Sequence, residues 1–214
     1  MSALLSHFLI IEREIINRLK PQEQLNLVAV MKEFIIFERQ IVDLKNLMLI
    51  TQDISWEAIS KIIGTKLNFQ EFLALLKKFK HDCNVEVAKR LFSSYDKQEK
   101  GYLDEQDLKL MILPNQLLTQ NINDIGEIKI ELLSKLFQVI LEVQLKQLKC
   151  LKNYKFNAEL AFRFLSQGRL TVNQNHVKMF LKTNGIQCTN NELMLLHPFD
   201  LSLQQFIIKY ECKI

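Results

Sequence analysis

The sequence predicts an all-α protein: two pairs of helix–loop–helix units, each pair preceded by a long helix. Three observations predict this. Apolar residues recur at spacings of three and four along most of the chain, the pattern of one-sided helices. Only 5 Gly and 3 Pro occur in 214 residues, too few breakers for a many-turned β-protein. The two halves of the chain also resemble each other, which points to a repeated unit.

The elements follow in order. Leu4, Phe8, Ile11, Ile15 and Leu19 form a first helical pattern. It should stop at Lys20-Pro21, because proline disfavours helical geometry in the residue before it. Residues 1–25 are thus read as an N-terminal helix. A second pattern, Val30, Phe34, Phe37, Ile41, Leu44 and Met48, predicts a long helix near 26–50. Its seam either packs on its own domain or meets a partner in coiled-coil fashion.

From Ser55 the texture changes to short helices split by polar turns. "SWEAISKII" leads to "GTKLNFQEFLALLKKF", and "VEVAKRLFSSY" leads to "DKQEKGYLDEQDLKLMIL". Pro114 ends that run. Residues 26–114 are therefore read as the first pair with its long helix. Residues 115–131, rich in Asn and Gln, are read as a linker. A third long helix near 128–152 opens the second block, 132–214, and "AELAFRFL", "SQGRLTVNQNHVKMFLKTNG" and "TNNELMLLHPFDLSLQQFIIKY" complete it. The repeat aligns "FERQIVDLK" (37–45) with "LEVQLKQLK" (141–149), and "GTKLNFQEF" with "QGRLTVNQN".

Composition narrows the function. Hydrophobic residues make up 48% and charged residues 24%, the balance of a soluble globular chain. A net charge of +4 suits an acidic partner but falls short of the footprint of a nucleic-acid binder. Cys83, Cys150, Cys188 and Cys212 form no CxxC pair, so reduced thiols in a cytoplasmic compartment are expected. The N-terminal stretch lacks a basic region and carries Glu12 and Glu14, which argues against a presequence. No apolar run reaches the length of a membrane span, and Cys212 stands one place too late for prenylation.

The most informative stretch is "YDKQEKGYLDEQDL". A calcium-binding EF-hand loop places oxygen ligands at positions 1, 3, 5, 9 and 12, a backbone carbonyl at 7 and glycine at 6. These fall on Asp96, Gln98, Lys100, Asp104, Asp107, Tyr102 and Gly101. Lys100 has no lone pair to offer and brings a positive charge. Asp107 is a methylene shorter than the bidentate Glu that grips calcium. The other loops have fewer acids still: "GTKLNFQE" keeps only Glu71, "SQGRLTVNQ" has none, and Asp200 runs straight into "LSLQQF". Leu103 and Leu170 are expected at the apolar position where paired loops meet. The loops are expected to be vacant, with weak calcium or magnesium binding at residues 96–107 as the alternative.

"LFSSYDKQEKGYLDEQDLKLMILP" resembles the last hand in a group of EF-hand-pair proteins abundant in ciliated protists, where a DKDGDG-type loop leads into a helix with a hydrophobic-Leu-Pro tail. "FLKTNGIQCTNNELMLLHPFD" is similar to the link between hands in that group. The resemblance spans roughly residues 34–214 and implies a helical paired-hand fold. It also implies service to the microtubule cytoskeleton of cilia.

Rival functions find less in the sequence. His7, His81, His176 and His197 lie on separate segments without catalytic neighbours, and no phosphate loop, GxSxG or HExxH occurs; no enzyme is expected. The six Met are scattered, unlike the Met-rich groove of a calcium sensor. Lys146, Lys149, Lys152 and Lys155 form a slanting stripe on one helix, without interleaved aromatics for base stacking. The expectation is a structural or adaptor protein of a cytoskeletal assembly, the ciliary axoneme, meeting acidic protein such as tubulin or a partner helix. No nucleic acid and no membrane are expected as partners. The alternative is a calcium- or magnesium-responsive regulator resembling calmodulin or a centrin-like light chain.

Overall fold

A computed structural model of the protein describes residues 19–51, 55–79, 84–96, 98–114, 130–196 and 200–211. Helix accounts for 75% of these residues, as expected of an all-α chain. In order the elements are α1 (Pro21–Thr51), α2 (Trp56–Ile63), β1 (Leu67–Asn68), α3 (Phe69–Lys78), α4 (Val85–Tyr95), β2 (Tyr102–Leu103) and α5 (Glu105–Ile112). Then follow α6 (Ile130–Asn153), α7 (Ala158–Ser166), β3 (Thr171–Val172), α8 (Gln174–Thr183), α9 (Asn190–Leu196), β4 (Leu201–Ser202) and α10 (Leu203–Tyr210). None of the described helices is long and apolar enough to cross a membrane.

The first long helix starts earlier than the sequence suggests. Pro21 is its first residue, where a missing N–H costs nothing and the fixed φ suits the helix. The Lys20 N–H donates to Glu23 at 3.1 Å, and the Gln24 amide donates to the Leu19 carbonyl at 2.9 Å. Residues 21–25 are thus the first turn of α1, not the end of an N-terminal helix. Of that helix, expected over residues 1–25, residues 1–18 lie outside the described residues, as do residues 115–129 of the expected linker; Ile130 and Glu131 already belong to α6.

The chain forms two compact units, and one of them is not a consecutive stretch. One is Ile36–Leu148; the other combines Met1–Ile35 with Lys149–Ile214. The sequence suggests a sequential division at 115–131, but contacts divide both long helices. In Ile36–Leu148, Phe137 of α6 lies 6.4 Å from Phe72 and 5.4 Å from Phe79, ring centre to ring centre. Phe92 of α4 continues this aromatic core at 5.8 Å from Phe72. The Ser134 hydroxyl on α6 donates to the Phe79 carbonyl at 3.3 Å. The Gln147 amide of α6 donates to Glu38 of α1 at 2.7 Å.

The other unit has its own aromatic core. Phe34 of α1 stacks on Tyr210 at 5.5 Å, Tyr210 meets Phe206 at 4.6 Å, and Phe206 meets Phe162 edge-on at 5.7 Å. The Asn26 amide donates to the Lys155 carbonyl at 2.8 Å. Each short helix pair alone presents apolar faces it cannot cover, so stretches of both long helices complete each core.

The expected seam on α1 is used inside the chain. Val30, Phe34, Ile41 and Met48 are buried, and Phe37 and Leu44 are half-buried. These six seam residues are therefore covered, wholly or in part, within the chain.

Candidate functional site: the loop at residues 96–107

The four short strands pair two by two, antiparallel: Leu67 opposite Leu103 and Asn68 opposite Tyr102, then Thr171 opposite Ser202 and Val172 opposite Leu201. Each strand runs straight into a helix in the same way. A buried apolar residue comes first: Leu67, Leu103, Val172 and Leu201. The next residue caps the helix: Asn68, Asp104, Asn173 and Ser202. Three places on, a side chain reaches back to the cap's own N–H. Glu71 accepts at 2.7 Å, Asp107 at 3.2 Å, His176 through Nδ1 at 3.2 Å and Gln205 at 3.0 Å. Two orphan donors at each helix start are satisfied reciprocally.

The hexad apolar–cap–x–x–acceptor–apolar thus occurs four times, as "LNFQEF", "LDEQDL", "VNQNHV" and "LSLQQF". It corrects one expectation. Leu170 is 90% exposed, and Val172, at 0%, is the apolar residue that pairs. Aligning the two leucines of "GTKLN" and "QGRLT" places the register two residues early. Gln167 at φ 53° and Gly168 at φ 82° end α7 in left-handed geometry and use up that length of chain.

The sequence-predicted ligand residues are partly brought together. Asp96 closes α4 and is buried. Its two carboxylate oxygens accept from the backbone N–H of Lys100 at 2.9 Å and of Gly101 at 2.8 Å. Gly101 holds φ at +76°, the left-handed turn that a side chain would disfavour. Gln98 is exposed. The Tyr102 backbone pairs with Asn68, and its ring carries the Lys66 ammonium 3.8 Å from its centre, with Lys100 at 5.3 Å. Asp104 Oδ1 accepts from the N–H of Gln106 at 3.0 Å and of Asp107 at 3.1 Å.

One carboxylate oxygen of each of Asp104 and Asp107 also meets Lys100. Its Nζ donates to Asp104 Oδ2 and, at 2.7 Å, to Asp107 Oδ2. The Lys100 side chain is 15% exposed. Its hydrogen bonds to Asp104 and then Asp107 raise its pKa above the ordinary lysine range. The Lys100 hydrogen bond in turn holds Asp104 below the usual carboxylate range. Among the described residues, no three His, Cys, Asp or Glu side chains gather as a metal-holding group.

Sequence reading missed Lys45. It is 7% exposed and donates to the carbonyls of Leu110 at 3.0 Å and Leu113 at 3.2 Å. It thus satisfies the end of α5, where backbone acceptors and the helix dipole favour a cation. The signal was spacing: Ile41, Lys45 and Met48 follow four and three, the register that points inward.

Other candidates sit apart. His176 is a cap partner, while His7, His81 and His197 lie outside the described residues. Lys146, Lys149, Lys152 and Lys155 are exposed, and Lys146 donates to Gln40 at 2.9 Å. Burial, and then Glu33, push the Cys150 thiol up to about 11. Compared with family models, curated proteins and solved structures, the chain gives no significant match.

Proposed function

We propose that the chain is a non-catalytic structural or adaptor protein built from two EF-hand-like pairs and working without calcium. Its setting in this reading is a cytoskeletal assembly, the microtubule scaffold of the cilium. One observation carries the calcium-independent part. In all four strand–helix turns the packing frame is kept, while the side chain at the last ligand position caps its own helix. That the packing frame recurs at all four turns supports a role that does not depend on metal.

The ciliary setting rests on the resemblance of residues 91–114 and 180–200 to hands of that protein group. The exposed lysines at 146, 149 and 152 of α6, and Lys155 beyond its end, would offer basic side chains to an acidic scaffold such as tubulin. A net charge of +4 steers weakly, and salt screens it beyond about 8 Å. Contact at short range, not long-range attraction, would have to hold such a partner.

Fractionation of cilia from the native source tests this. Detergent and then high salt should leave the protein with the axoneme, whether calcium or a chelator is present. Recovery in the soluble fraction, or release on adding calcium, would support a regulatory hand instead.

A further inference from the structure

We infer that the Lys100 ammonium is the loop's own cation: tethered to Asp104 and Asp107, it takes the place a divalent ion would take and keeps this hand in one state. The inference rests on the EF-hand-like reading and deepens it. Calcium insensitivity becomes an enforced property of the loop, not a mere loss of ligands.

Distance, charge and access carry it. The ammonium nitrogen stands 2.7 Å from Asp107 Oδ2, close to the roughly 2.3–2.6 Å at which calcium holds oxygen. It contacts carboxylates at the ninth and twelfth loop positions, which would otherwise face each other as like charges. The Asp96 carboxylate, the remaining acid of the frame, already accepts from two backbone N–H groups. An entering metal ion would have to expel a cation that cannot diffuse away. An intramolecular competitor acts at an effective concentration of about millimolar or higher. Lys100 is also too short of solvent, at 15% exposure, to be a freely swinging surface lysine.

The same chemistry explains why the cation sits at the fifth position. From there the lysine stem spans four residues to Asp104 and seven to Asp107. Both acceptors are already oriented by the capping box of α5. The loop therefore needs no metal to fix the start of that helix.

The test uses the full chain as wild type, Lys100→Gln and Lys100→Arg, melted in chelator and in millimolar calcium or magnesium chloride. Wild type and Lys100→Arg should melt alike in all three. Lys100→Gln should melt about 2–4 °C lower in chelator, the shift expected for losing one partly buried ion pair in a chain of this size. Either divalent ion should then restore part of that loss. If Lys100→Gln melts as wild type in chelator, or its loss is untouched by divalent ions, the inference is overturned while the calcium-independent reading stands. If wild type itself responds to calcium, both fall. Should Lys100→Gln fail to fold, adding Asp107→Asn must restore folding by removing the uncompensated carboxylate; failure to do so overturns the inference.

Discussion

Leu67 and Leu103 face each other across the β1–β2 pair, and both side chains are buried. Their pairing joins two helix–loop–helix units. Leu103→Ala should therefore cost about 2–5 kcal/mol, the range for truncating a buried leucine. Urea denaturation of the full chain measures it. A cost within about 0.5 kcal/mol of zero, the range of surface positions, would contradict the pairing.

Val172 and Leu170 make a sharper contrast. Val172 is fully buried opposite Leu201, and Leu170 is 90% exposed. Val172→Ala should cost about 1.5–3 kcal/mol, while Leu170→Ala should stay within about 0.5 kcal/mol of wild type. The reverse order would restore the register that aligning the two leucines suggests.

That register shift shows what the sequence could and could not convey. Helical spacing located α1, because burial on one face writes directly into the 3.6-residue period, while polar turns between apolar runs marked the short helices. The seam at Val30, Phe34, Ile41 and Met48 was legible for the same reason. What covers that seam was not, since apolar spacing is identical for an internal core and a partner helix. The strand register turned on left-handed geometry at Gln167 and Gly168, and only Gly168 advertises it. The start of α1 at Pro21 was readable in principle, as proline both ends one helix and opens another. The non-consecutive unit follows from contacts such as Phe34 with Tyr210, which local spacing does not encode.

The cap at Asn173 gives a third prediction. Its side chain accepts from the His176 N–H at 3.1 Å, and His176 answers through Nδ1. Asn173→Ala should cost about 0.5–2 kcal/mol. His176→Gln should be tolerated better than His176→Ala, because Gln205 fills the same role opposite Ser202. Equal losses for the two His176 variants in thermal melts would remove the capping role.

Lys45 links stability to pH. Burial pushes its ammonium down to about 8 from the ordinary 10.5, with Glu38 acting the other way. Below about 8 both folded and unfolded chains hold the proton, and the cost of the buried charge is constant. Between about 8 and 10.5 the unfolded chain retains a proton that the folded chain releases, so stability contributed by this residue rises with pH. Wild type should gain on Lys45→Met by up to about 3 kcal/mol across that window. A difference that stays flat, or falls, from pH 8 to 10.5 would contradict the burial of this amine.

Direct measurement of calcium binding tests the central claim of the proposed function, that the helix–loop–helix units keep their packed form without metal. Equilibrium dialysis of the full chain at about 0.1 mM free calcium, roughly tenfold above the weakest sensor dissociation constants of about 10⁻⁵ M, would leave a functional hand about 90% occupied. With the Lys100 ammonium on Asp104 and Asp107, and Asp96 taken by backbone N–H groups, the protein should retain no calcium above background. Retention of close to one calcium per chain would contradict the account.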